Sequence, residues 1–195
     1  MSNIVNHNDH HDSHDHQGGL NNFGFWLYLM TDCMLFGALF AVFLVLKLNV
    51  SVPEFDLGFV FLETIILLTS SFTFGLAMIG IKKHNKNMAL IFIAITFLLG
   101  LWFIYLELTE FMELIHEGRG PSSHAYYSAF FALVGTHGLH VTAGLIWMIA
   151  LFIQLLKRGV EPIISRKLSL LSLFWHFLDI IWIFVFSIVY LLGAL

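Results

Sequence analysis

The sequence predicts an all-α integral membrane bundle of five transmembrane helices, with the N-terminus inside and the C-terminus outside. Three observations lead there. Of the 195 residues 58% are hydrophobic and only 11% charged, against about 25% charged in an ordinary soluble domain, and the mean hydropathy is +0.85. Five apolar stretches each reach the roughly 20 residues that a helix needs to cross a bilayer. Basic residues divide unevenly between the two ends of those stretches, seven against two.

Residues 1–22 carry His7, His10, His11, His14 and His16 interleaved with Asp9, Asp12 and Asp15, and no Lys or Arg. Neutral imidazoles can ligate transition metals, but the composition reads as a solvated, disordered cytoplasmic tail. Residues 23–195 form the transmembrane domain. The tail lacks the basic start of a cleavable signal, and the first apolar stretch is too long for a signal core, so that helix is expected to remain in the mature protein.

The five spans are read at 24–46, 57–81, 88–112, 125–156 and 169–194. Asn49, Pro53, Glu54 and Asp56 break the first from the second, and Lys82 to Asn87 follow the second. Glu117 to Pro121 follow the third, and Lys157 to Lys167 the fourth. Loops this short make sequential helices antiparallel. The tail, second loop and fourth loop then share the side with seven basic residues, while the other side holds Lys47 and Arg119; the excess marks the inside. No internal repeat is visible, and five spans do not divide into two inverted halves. The lone cysteine, Cys33, excludes an internal disulfide and is read as a small packing residue. An acidic balance with no basic surface excludes nucleic acid as a partner.

Ionisable groups inside apolar spans are costly and ask for a partner or a role. On the fourth span His137 and His140 lie three residues apart, about 60° around the axis. A neighbouring stripe of Ser128, Ala132, Gly135, Thr142 and Ala143 suggests close helix approach. The two histidines are either metal or haem ligands or a neutral pair hydrogen-bonded across helices. The second reading is preferred, because a bis-histidine haem would need His176 or His84 at matching depth. On the fifth span Trp175, Asp179 and Trp182 share a ridge, and an indole N–H or His176 is expected to satisfy the carboxyl. Asp179 and, on the first span, Asp32 are each a proton-relay carboxyl or an interhelical anchor, with the anchor preferred. Glu63 lies about 9 Å into the second span. Glu107 and Glu110 sit near the outer end of the third, where water is expected to reach them, and Glu113 and Glu117 continue into a solvated helix end.

Two strings carry a family resemblance: Gly135-Thr136-His137-Gly138-Leu139-His140-Val141 and Phe174-Trp175-His176-Phe177-Leu178-Asp179-Ile180-Ile181-Trp182. Together they resemble subunit III of the haem-copper respiratory oxidases, most closely the bo-type ubiquinol oxidase branch. The likeness runs from Phe23-Gly24-Phe25-Trp26 to the C-terminus. It departs from the seven-helix cytochrome c oxidase form by starting at what resembles that form's third helix, and Glu107 stands where cytochrome c oxidase forms commonly have Gln. The resemblance implies a non-catalytic accessory subunit in a bacterial inner membrane, supporting assembly and sustained turnover of subunit I. Haem and copper would lie in subunit I, with no cofactor or metal in this chain. Subunits I, II and IV and phospholipid would be its partners, and the segment around Glu63 would touch lipid or a neighbouring helix. The chain has no Cys-x3-Cys and no six-histidine set of its own. The alternatives are a cytochrome c oxidase subunit III or, from another class, an independent ion or proton transporter using Asp32, Glu63, His137, His140 and Asp179.

Overall fold

A computed structural model describes the backbone of residues 9–47 and 57–191, with side chains from 23 and 58 onward. Five helices follow one another: α1 (Asp9–Lys47), α2 (Leu57–Lys82), α3 (Lys86–His116), α4 (Ala125–Arg158) and α5 (Pro162–Val185). A wider π turn, Phe186–Leu191, continues α5. All five are long and apolar enough to cross a membrane, as the composition requires, and no strand occurs among the described residues.

The ends of the helices follow local chemistry. Asn85 caps α3 by accepting from the Met88 amide at 3.2 Å, a side chain satisfying a backbone donor that the helix cannot. His84 before it takes a positive φ of 53° to turn the chain between α2 and α3. Here Gly80 is needed for contact: a Cβ at that position would stand 3.0 Å from the Ala89 backbone nitrogen. Gly159, at φ 77°, ends α4, and Pro162 opens α5 two residues after that reversal's next position, where a missing N–H costs nothing. The fifth helix therefore begins seven residues before the expected 169. Polar Ser165, Arg166 and Lys167 hid its first turns, which Pro162 opens with its fixed φ and hydropathy does not mark. Backbone helicity in α1 likewise starts at Asp9, inside the stretch read as disordered. The break at 48–56 and the side chains of the histidine tail lie outside the described residues.

The chain divides within α1 into two compact units, Met1–Leu35 and Phe36–Leu195. In the second, α2 packs on α3, α3 on α4, α4 on α5 and α5 back on α2, closing a ring of four helices. Phe74, Phe103, Phe130, Leu133, Trp175 and Trp182 fill its centre. Close approach depends on glycines: the Trp175 indole lies between Gly100 and Gly144, whose added Cβ atoms would meet it at 3.0 and 3.1 Å. The small-residue stripe expected to be packed is not: Ser128, Ala132, Thr142 and Ala143 are exposed on the outer face of α4. Cys33 is exposed as well, so it is not a packing residue within the chain.

Candidate functional site

The polar residues of the ring fall into layers set by α2. Glu63 and Ser70 are seven residues apart, as are Thr64 and Ser71, so each pair repeats on one face two turns further on. Trp182 and Trp175 on α5 repeat at the same interval in the opposite direction. The Trp182 indole donates to the Thr64 hydroxyl at 3.1 Å, and the Trp175 indole to the Ser70 hydroxyl at 3.1 Å. Thr64 in turn donates to the Val60 carbonyl, and Ser70 to that of Leu67. The two indoles thus fix the register of α5 on α2.

At the end of the ring where α2 begins and α3 finishes, Glu63 of α2 and Glu107 and Glu110 of α3 come close enough for their charges to interact. Tyr190, completely buried, donates from its hydroxyl to Glu110 Oε2 at 3.0 Å. Glu63 is 0%, Glu107 3% and Glu110 8% exposed. The expectation that water reaches Glu107 and Glu110 is overturned: the ring closes around them. Glu63 likewise faces helices and not lipid, and neither of its carboxyl oxygens finds a hydrogen bond among the described residues. Glu113 and Glu117, by contrast, are exposed, and Glu117 pairs with Arg119 at 2.9 Å.

One layer deeper, His137 is wholly buried in an aromatic box. Its ring centroid stands 5.1 Å from that of Trp182 and 6.0 Å from Phe103, and Phe103 meets Trp182 edge-on at 4.7 Å. Neither imidazole nitrogen has a hydrogen-bond partner among the described residues. His140 donates from Nδ1 to the Thr136 carbonyl of its own helix at 2.7 Å and packs 5.4 Å from Phe36. The expected bond across helices is not found at His137, which ring packing holds among the described residues.

The third layer joins Ser71 to His176 Nδ1, and the Asp179 carboxyl lies beside Ser71, its Oδ1 finding no hydrogen bond among the described residues. The polar neighbour of Asp179 is thus a serine on α2. Its expected donors are engaged elsewhere, the indoles by Ser70 and Thr64 and His176 by Ser71. Asp179 is 8% exposed. Thr73 and Thr96 join α2 to α3 at 2.8 Å. In the first compact unit, Tyr28 hydrogen-bonds Asp32 one turn along α1.

The structure therefore gathers Glu63, Glu107 and Glu110, keeps His137 in the layer beneath and sets His176 with Asp179 apart from them. Sequence reasoning missed Tyr190 and the role of Gly138, whose bare α-carbon faces the Glu107 carboxyl. Tyr190 had a signal, since it stands eleven residues after Asp179 and extends the same ridge. The chemistry open to the acidic layer is proton sharing among three carboxyls and a phenol. No three His, Cys, Asp or Glu side chains converge in a metal-holding arrangement among the described residues, and His137 packs against the Phe103 and Trp182 rings.

Fold and site define a multi-pass, all-helical membrane protein with a buried polar seam. The sequence pattern of the family described as cytochrome c oxidase subunit III matches residues 2–194. The chain is 52% identical over 192 residues to a cytochrome bo(3) ubiquinol oxidase subunit 3 of Pseudomonas aeruginosa, covering 96% of this chain and 91% of that one. It is 46% identical to the corresponding protein of Buchnera aphidicola subsp. Schizaphis graminum, covering 89% and 94%. With quinol oxidase subunit 3 of Bacillus subtilis it shares 44%, covering 90% and 89%. The chain belongs to the cytochrome c oxidase subunit III family, and the resemblance carried by its two strings is borne out on the quinol oxidase side.

Proposed function

We propose that this chain is the accessory third subunit of a proton-pumping haem-copper terminal oxidase that oxidises quinol and reduces oxygen to water. The observation that carries the reading is the 52% identity over 96% of the chain to a ubiquinol oxidase subunit 3. The packed seam supports it, because its indoles, hydroxyls and carboxyls link helix to helix and none converges on a cofactor. Electron transfer and pumping belong to subunit I, which holds the haem and copper; subunits II and IV complete the assembly. This chain packs against the complex, binds phospholipid and sustains turnover, in a bacterial inner membrane with its N-terminus inside. Seven of nine basic residues on one side support that orientation.

The test is mild-detergent purification through this chain, followed by subunit identification, a reduced-minus-oxidised spectrum and quinol-driven oxygen uptake. A larger haem-bearing subunit should co-purify with quinol oxidase activity. A stable, colourless, solitary chain that conducts ions would overturn the proposal.

A further inference from the structure

We propose that the groove between α3 and α4 is a binding site for an anionic phospholipid, one acyl chain lying in the groove and the phosphate held by the cationic ends of the same helices. This deepens the accessory-subunit reading and rests on it. The groove has a volume of about 260 Å³ and is lined by Ile93, Ala94, Phe97, Met148, Ile149 and Phe152, apolar throughout. At one end Lys86, the first residue of α3, reaches across and donates from Nζ to the Leu156 carbonyl at 2.9 Å. That bond draws the start of α3 to the end of α4, where Lys157 and Arg158 are exposed. Lys82 and Lys83, also exposed, follow α2 into the same turn. None of these four exposed cations forms an ion pair among the described residues, and Glu161 is the one acid in the two loops at this end.

Depth fits as well as charge. Counted along the helices, the lining residues lie about 8 to 17 Å beyond the cationic positions at 1.5 Å per residue, and one leaflet of a bilayer's hydrocarbon core is about 15 Å thick. An acyl chain descending from a phosphate at Lys157 and Arg158 therefore runs along the groove. Basic collars over clefts between transmembrane helices select anionic headgroups, whereas a bare apolar cleft does not discriminate between lipids.

The experiment uses the intact complex, delipidated in mild detergent and titrated with phosphatidylglycerol or phosphatidylcholine, with bound lipid counted by native mass spectrometry. Subunit content and haem spectrum are recorded on the same samples, so an error about the oxidase assembly is seen separately from an error about the lipid. The unaltered complex should bind phosphatidylglycerol more tightly. In Lys157→Gln/Arg158→Gln that preference should fall about tenfold or more while chain binding persists, since each surface cation contributes about 1 kcal/mol toward an anionic lipid. In Ala94→Trp, which fills the groove, both lipids should be lost. Unchanged lipid counts in both variants would overturn the site. So would a photoreactive group at position 94 that cross-links to another subunit and not to lipid, because a partner helix would then occupy the groove.

Discussion

The carboxyl group of Glu107 rests on the bare α-carbon of Gly138: a Cβ built there would stand 2.7 and 2.8 Å from its two oxygens. The glycine in the middle of Gly135-Thr136-His137-Gly138-Leu139-His140 is therefore space for an acid on the neighbouring helix. Helix propensity alone would favour Gly138→Ala by about 1 kcal/mol. Overlap with an enclosed carboxyl costs about 1 to 3 kcal/mol, so the variant should be less stable, measured as a lower midpoint of thermal unfolding in detergent. Glu107→Asp withdraws the carboxyl by one methylene. The double variant should then lose less than the sum of the single losses, and strictly additive losses would count against the contact.

The indole pair on α5 leads to a second expectation. If Trp182 reads the Thr64 hydroxyl, Trp182→Phe and Thr64→Val should show a coupling of about 0.6 kcal/mol in a double-mutant cycle, the average for such bonds between membrane helices. Trp175→Phe with Ser70→Ala should show a similar value. Trp182→Phe crossed with Ser70→Ala, two turns out of register, should show none.

Tyr190 and Glu110 supply a third. Tyr190→Phe keeps the ring against Phe130, 6.1 Å away, and removes only the hydroxyl that donates to Glu110. The expected loss is about 1 kcal/mol of stability. The infrared carbonyl or carboxylate band that Glu110→Gln abolishes should shift in Tyr190→Phe. A band left in place would mean that the 3.0 Å contact does not persist in the membrane.

Much of this fold was legible because the bilayer imposes a length. Four of the five spans begin or end within a few residues of the stretches read from hydropathy. The fifth was read short because Pro162 and Gly159 govern its start and charged residues occupy its first turns. The site was only partly legible. Glu63, Glu107 and Glu110 stood out as acids in apolar spans, and helix counting put them toward the same end, but counting along an axis cannot say whether a side chain points to lipid, water or a neighbour. Only the ring closure of α2 to α5 decides that all three point inward. The same limit applies to His137 and His140. Their 60° separation was correct, yet it was the neighbours Phe103 and Trp182, distant in sequence, that made one of them a packing group.

The last prediction separates a structural seam from a proton route. Asp179 meets Ser71 across α2 and α5, and His140 ties itself to the Thr136 carbonyl beside Phe174, whose ring lies 6.4 Å away. If these groups secure packing, Asp179→Leu should weaken assembly, because it leaves the Ser71 and His176 pair facing a hydrocarbon side chain. The expected cost is about 1 to 3 kcal/mol by analogy with soluble proteins and often less in membranes. His140→Leu should weaken it as well, since it takes the imidazole from the Thr136 carbonyl and from the Phe36 and Phe174 rings. The phenotype to measure is subunit content of the purified complex, depleted in both variants. Complexes that retain either altered chain should still release protons per electron at near-normal stoichiometry in reconstituted vesicles, because the proposed function assigns the redox centres to another subunit. Full assembly together with abolished pumping would make the seam a proton relay.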